Sequence, residues 1–353
     1  MVLSLIFKFI ASIILSFFVI FFTKKLFIKL NILDNPIKYK KNRKPIPYSM
    51  GVIFFICFLI LSYFFVEHNY KLHLLWFFWF IITLISFIDD ILNISPKIRL
   101  IIQIIIWATI WLTAIKVGYI SNIFGWVIDL DKYFLEILNY KIYIISLIFT
   151  VIWYVFIFNS LNWTDWIEWN TSWLSIISFF IIFLLWIILL NKDNYEWWIN
   201  NAKFIINLSI ILIWILVPFF YFDYKQKILM WDSWTMFLWF MLASLAIISW
   251  WKIATVLVVF WIYAVDAIYV ILNRLKNKKN PLLWDFTHFH HRLLNLGLSK
   301  NQVLIFIFSS SFLFWFLSLF LDKIWKIILF VFIIFFVIFA PKIILKILKY
   351  EKK

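Results

Sequence analysis

The sequence predicts an all-α polytopic membrane protein of about eleven transmembrane helices, N-terminus outside and C-terminus cytoplasmic. Three observations carry this. Hydrophobic residues make up 66% of the 353-residue chain and charged residues only 14%, whereas a soluble domain is nearer a quarter charged. Apolar runs of about 20 residues recur throughout, each long enough to cross a bilayer as a helix. Basic residues gather in alternate connections between these runs. The runs are continuous rather than alternating, which argues against a β-barrel. No polar stretch is long enough for a soluble domain, so residues 1–353 read as a single integral membrane domain.

The first span is 2–23. It is long, lacks a small-residue cleavage site and runs into Lys24-Lys25, so it reads as a retained helix rather than a signal peptide. Spans follow at 51–66, 74–91, 98–116, 143–161, 173–190, 204–221, 234–250, 253–272, 302–321 and 324–345. The connection 24–50 carries Lys24, Lys25, Lys29, Lys38, Lys40, Lys41, Arg43 and Lys44 against Asp34. The connection 273–301 carries Arg274, Lys276, Lys278, Lys279, Arg292 and Lys300, and the tail carries Lys346, Lys349, Lys352 and Lys353. With eleven spans these three segments share one side, which the positive-inside rule makes cytoplasmic. The same rule accounts for the net charge of +16 without a nucleic-acid partner. Proline marks connections at 36, 45, 47, 96 and 281, and Pro218 reads as the one span-interior proline, predicting a kink. The single Cys57 lies in an apolar run and reads as a small packing residue.

Against this apolar background, ionisable and polar groups collect at span ends. Asp89-Asp90 end span three, Asn159 to Asp165 end span five, Asp232 follows span seven, and His288-Phe289-His290-His291-Arg292 lie between spans nine and ten. The count places all four on the cytoplasmic side, and a miscount by one span would scatter them. Charges at a bilayer edge are costly and usually functional. Together they suggest an active site for a lipid-borne substrate.

The strings around these residues are long. Asp89-Asp90-Ile-Leu-Asn-Ile-Ser95-Pro96-Lys97-Ile-Arg99-Leu-Ile-Ile-Gln103 resembles the DD-x-x-x-L-S-P-x-x-R/K-L-x-x-Q signature of the polyprenyl-phosphate N-acetylhexosamine-1-phosphate transferases, the WecA/TagO/MraY-type enzymes of glycosyltransferase family four. Residues 34–51, from Asp34-Asn-Pro36 through Lys40, Lys44, Pro45 and Pro47 to Gly51, are similar to that family's first loop, with Tyr39, Asn42 and Met50 as departures. Asn159-Ser-Leu-Asn162-Trp-Thr-Asp165-Trp166-Ile-Glu168-Trp169 resembles N-A-x-N-x-x-D-G-x-D-G, with Glu168 for the second Asp. Residues 227–239 around Asp232 resemble K-x-F-x-G-D-x-G-S-x-x-L-G, and 285–299 resemble D-R-x-H-x-H-H-R-L-L-x-x-G-x-S. The H-x-H-H form points to the WecA/TagO branch.

Tryptophan stands where these motifs carry glycine, at Trp166, Trp169, Trp231, Trp234 and Trp239. The chain has 23 Trp and 4 Gly, against about 25 Gly at average usage, so the surplus of one nearly matches the deficit of the other. This is the pattern of a gene whose UGA codons specify glycine but were read as tryptophan. The Lys-, Ile-, Phe- and Asn-rich composition fits an AT-rich source. Glycine beside a phosphate-binding Asp lets backbone N–H groups approach an anion, which an indole would crowd. Genuine interfacial tryptophans are the competing reading, best at span ends such as Trp76.

The resemblance implies transfer of an N-acetylhexosamine-1-phosphate, GlcNAc-1-phosphate by branch, from a UDP-sugar to polyprenyl (undecaprenyl) phosphate, releasing UMP, as a first membrane step of envelope glycan synthesis. It implies a multi-pass protein of the bacterial cytoplasmic membrane, with the site facing the cytoplasm, and it is compatible with a homodimer. Mg²⁺, with Mn²⁺ as an alternative, would neutralise the phosphates. Asp232 and Asp165 are the expected metal ligands, and Asp89 and Asp90 complete an acidic face, either of them serving alternatively as base toward the lipid phosphate. Lys40, Lys44 and Arg99 are candidates for phosphate contacts, with ordinary positive-inside lysines as the competing reading for the first two. Asn159 and Asn162 are candidates for the nucleotide, with a structural helix-end role as competitor. His288, His290, His291 and Arg292 are expected at the UDP portion. Two rivals stand beside this: a transporter with intramembrane carboxylates, and a non-catalytic polyprenyl-phosphate binder, which leads if the motif tryptophans are genuine.

Overall fold

The computed structural model describes residues 2–36, 43–48, 50–92, 94–113, 115–121, 127–137, 140–162, 170–190, 195–229, 231–249, 253–280 and 287–350. Each of the eleven predicted apolar runs overlaps a helix among the described residues, the fourth only as far as Trp111. The helices are α1 (Val2–Lys29), α2 (Gly51–Phe65), α3 (Tyr70–Leu92), α4 (Pro96–Trp111), α5 (Ile144–Asn162), α6 (Asn170–Leu190), α7 (Glu196–Tyr224), α8 (Trp231–Ile248), α9 (Ile253–Lys276), α11 (Lys300–Phe320) and α12 (Lys323–Tyr350), with a short α10 (Phe289–Leu294) carrying the histidine motif. Among the described residues, α1, α3, α6, α7, α11 and α12 are long and apolar enough to cross a membrane, and α2, α5 and α8 contribute shorter apolar stretches. The chain is a helical, multi-pass membrane protein. Several helices outrun their apolar runs, α7 at both ends and α1 through Lys24-Lys25, because backbone hydrogen bonding continues where side chains turn polar.

Two compact units divide the chain. The first comprises residues 1–94, 113–115 and 165–248. In it α6 and α7 pack as neighbours, α3 lies on α8, and α2 touches α1, α3, α7 and α8. Its aromatic centre is Phe54, Phe58, Trp79 and Phe237, with Trp79 stacked on Phe237 at 3.5 Å between ring centroids. Ser12, Ser16, Ser172, Ser175 and Ser209 are fully buried, small residues that let helices approach closely. Trp198 Nε1–H donates to Leu189 O (3.0 Å), satisfying a carbonyl in the last turn of α6.

The second unit comprises residues 95–112, 116–164 and 249–353. Ser95 caps α4 and Pro96 occupies its first turn, which is why Ser-Pro begins this helix. Trp107 stacks on Tyr154 at 4.5 Å, joining α4 to α5. Gly297, at φ 89°, follows α10, and a Ser299/Gln302 capping box then opens α11. The glycine supplies the left-handed residue that such a helix end needs.

One connection carries short strands, and one expectation, about proline, is corrected. The connection 117–142 contains β structure. β1 (Tyr119–Ser121) pairs antiparallel with β2 (Val127–Asp129), and β3 (Phe134–Ile137) with β4 (Tyr140–Tyr143). Lys116 and Asp131, which flank β1 and β2 in sequence, form an ion pair at 2.8 Å. Pro218 is not alone inside a span, because Pro341 lies within α12.

Candidate active site

In the first unit, Asp89 and Asp90 close α3 and are each only 7% exposed. Asp89 Oδ1 accepts from Ile94 N–H (2.9 Å), so this carboxylate also shapes the turn toward Ser95-Pro96. The first loop is tied back on itself. Asp34 accepts from Arg43 Nη1 (3.0 Å) and Nη2 (2.7 Å) and from Ile46 N–H (2.8 Å). Leu33 bridges Pro47, and Pro47 O accepts from Leu229 N–H (2.8 Å), three residues before Asp232. Burial and then the Asp90 carboxylate push the Tyr48 phenol above its usual range. The first loop and the α7–α8 turn therefore meet. Asp232 lies in the first turn of α8. The side chains of Asp232, Trp231 and Trp234 lie outside the described residues, as do Lys40, Asp165, Trp166 and Trp169 in full. Lys44 is exposed.

In the second unit, Arg99 lies in the first turn of α4 and is half-buried. Asn159 Nδ2 donates to Gln103 Oε1 (2.9 Å) and to Val155 O (2.8 Å). These bonds pin α5 to α4, so its donors do structural work and only its Oδ1 is left for a ligand. Asn162 ends α5, with its side chain outside the described residues.

The histidine motif is the best-defined part. His288, His290 and His291 are all buried. The His288 and His290 rings lie parallel with centroids 6.0 Å apart, and His290 and His291 are 4.2 Å apart. The Arg292 guanidinium lies over the Tyr269 ring at 4.5 Å. One carboxylate that the motif reading passed over gathers this group: Asp266 in α9 is 4% exposed and meets His288, Phe289 N–H and Arg292. Burial, and then the neighbouring His291, His288 and Arg292, hold the His290 imidazolium well below the usual histidine range, so His290 is neutral at pH 7. Asp223, also passed over, is buried at the end of α7 and accepts from Ser172 Oγ (2.5 Å). In both cases the available signal was an acid in or beside an apolar run.

Residues 72–250, just over half of the chain, match the sequence profile of Glycosyl transferase family 4. The chain belongs to glycosyl transferase family 4. The matched range takes in the acid pair, the Asn159–Asp165 string and Asp232. A protein of Bacillus subtilis (strain 168), described as a probable undecaprenyl-phosphate N-acetylglucosaminyl 1-phosphate transferase, is 24% identical over 242 residues, 67% of this family 4 chain. The chain spans 62% of that relative's length.

Among the described residues no three His, Cys, Asp or Glu side chains gather as a metal cluster. The acidic motif positions offer only carboxylate oxygen, the donor type that suits a cation held by one or two carboxylates and substrate phosphates.

Proposed function

We propose that the chain transfers N-acetylhexosamine-1-phosphate, GlcNAc-1-phosphate in the first instance, from a UDP-sugar to polyprenyl phosphate of the undecaprenyl type, at the cytoplasmic face of a bacterial inner membrane. The observation that carries this reading is a buried Asp89-Asp90 pair at the end of apolar α3 in a family 4 chain. The described relative supports the reaction class.

The chemistry follows from the charges. An oxygen of the lipid phosphate attacks the β-phosphorus of the UDP-sugar, the bond from that phosphorus to the bridging oxygen breaks, and the electron pair leaves on UMP. A phosphate monoester has a second pKa of about 6 and is largely dianionic at pH 7, so little proton abstraction is required. Positioning and charge neutralisation carry the rate. Mg²⁺, with Mn²⁺ as substitute, is the proposed cofactor. Asp232 and Asp165 would hold it, and it would neutralise the diphosphate oxygens. Asp89 and Asp90 form the acidic wall on the lipid side, and Lys40, Lys44 and Arg99 attract the phosphates. His288, His290, His291 and Arg292 receive the UDP portion. By the positive-inside count of basic residues, the reading has eleven crossings with the N-terminus outside and the C-terminus cytoplasmic, and it allows a homodimer.

The test is UMP release by the purified full-length chain. Release from UDP-GlcNAc that requires polyprenyl phosphate, and is lost in Asp90→Asn, is the expected result. Release independent of the lipid, or none at all, would remove the reading.

A further inference from the structure

Asp266 is a carboxylate inside the predicted span 253–272, buried to 4% exposure. A charge at that depth persists only where partners compensate it, and is functional by default. Its partners lie 22 to 26 residues further along the chain. His288 Nδ1–H donates to Oδ2 (3.0 Å), Phe289 N–H donates to the same oxygen (2.9 Å), and Arg292 Nη2–H donates to Oδ1 (3.0 Å). Both oxygens are engaged by three donors from one segment. Phe289 is the first residue of α10, so Asp266 satisfies an N–H group that this short helix cannot satisfy itself. Tyr269, one turn further along α9, underlies the Arg292 guanidinium at 4.5 Å. His288 and Arg292 are four residues apart and face the same way, so α9 grips α10 at two points. A third observation points outward: His290 is 3% exposed, yet its Nε2 has no hydrogen-bond partner among the described residues.

We infer that Asp266 is a positioning residue for the nucleotide end of the site. It fixes His288 with Nδ1 protonated and pins Arg292. That grip orients α10 so that His288 Nε2, His290 Nε2 and the remaining Arg292 N–H groups face the UDP moiety. The arrangement follows the logic of a carboxylate-oriented imidazole, where the bond at one ring nitrogen dictates what the other offers. An amide in place of Asp266 fails in either orientation. With its oxygen toward His288 and Phe289, its NH₂ opposes Arg292; turned round, its NH₂ opposes the Phe289 N–H.

The identity of the ligand rests on the proposed reaction, whereas the orientation of His288 does not, so two measurements separate them. The first is the ¹⁵N spectrum of the full-length, histidine-labelled protein. His288 with Nδ1 protonated is expected, and a bare Nδ1 would overturn the inference whatever the enzyme does. The second is steady-state kinetics of Asp266→Asn with UDP-GlcNAc. The expected result is a KM raised roughly ten- to a hundredfold, the loss typical of a charge-assisted hydrogen bond, with kcat changed far less. An unchanged KM, or a fall confined to kcat, would overturn the positioning role. If the wild-type chain does not turn over UDP-GlcNAc, the reaction reading fails while the ¹⁵N spectrum still decides the Asp266–His288 link. If Asp266→Asn does not fold, the wild-type spectrum still stands as the deciding measurement.

Discussion

Replacing Asp34 with alanine removes three hydrogen bonds at once, two from Arg43 and one from Ile46 N–H. The Asp34 side chain is fully buried and that of Arg43 is 16% exposed. Deleting one partner of a buried ion pair costs about 3–5 kcal/mol, because the other charge stays behind uncompensated. Partial exposure of Arg43 lets water recover some of this, so the lower end, about 3 kcal/mol, applies. That is roughly a hundredfold shift in the ratio of closed to open first loop. The effect should stay local, since α1 and α2 on either side are held by their own packing. The loop carries Lys44 and Tyr48, whose phenol feels the Asp90 carboxylate, so the step expected to suffer is capture of the lipid phosphate. The assay is KM for polyprenyl phosphate in mixed micelles, read beside KM for UDP-GlcNAc and beside hydrogen exchange of the Ile46 amide. Asp34→Ala should raise the lipid KM at least tenfold, leave the sugar-nucleotide KM within about threefold and speed Ile46 exchange. Asp34→Asn, which keeps one acceptor, should fall between. An alanine variant with an unchanged lipid KM and an unchanged Ile46 amide would refute the argument that this clamp orders the site.

Other outcomes are expected. His290 is held neutral, so this one imidazole binds fewer protons in the folded than in the unfolded chain; the stability it contributes is complete above about pH 6.5 and is lost as pH falls below that. Protection factors across Phe289–Leu294 should therefore drop between pH 7.5 and 5.5, and a rise would contradict the sign. Chelation by EDTA should abolish UMP release, with recovery on adding Mg²⁺; full activity in EDTA would exclude the proposed cofactor. Cys57 is fully buried, so a maleimide should label it far more slowly in the folded protein than after unfolding, and equal rates would mean that α2 does not pack as described. Trp239 is 1% exposed and its Nε1 has no hydrogen-bond partner among the described residues. A buried donor without a partner is costly, as glycine there would not be. The codons at 231, 234 and 239, or the masses of the peptides covering them, should show UGA read as glycine, whereas UGG would favour the non-catalytic reading.

Much of the fold is legible in the sequence because the bilayer simplifies the problem. A span must be continuous, apolar and helical, so run length alone located every long helix. Ends were less legible, since α7 continues through Glu196 at one end and Asp223 at the other on backbone hydrogen bonds that polarity does not reveal. The strand pairs β1–β2 and β3–β4 depend on short pairings that run length does not reveal. At the site, a string such as Asp89-Asp90…Ser95-Pro96 is readable because its residues are contiguous. Asp266 is not, since its partners lie more than 20 residues away and only packing of α10 on α9 brings them together. Asp223 and Ser172 meet across two helices in the same way. Asn159 shows the converse: a residue picked out by a motif spends its donors on Gln103 and Val155.

The most direct measurement is the mass of the lipid product. The full-length chain, produced with the residues its own gene specifies at positions 166, 169, 231, 234 and 239, would be incubated with UDP-GlcNAc, undecaprenyl phosphate and Mg²⁺. The account predicts GlcNAc-diphosphate-undecaprenol, formed in step with UMP and absent with Asp90→Asn. Binding of undecaprenyl phosphate without any sugar-linked lipid would contradict it and leave a binding protein on a transferase fold.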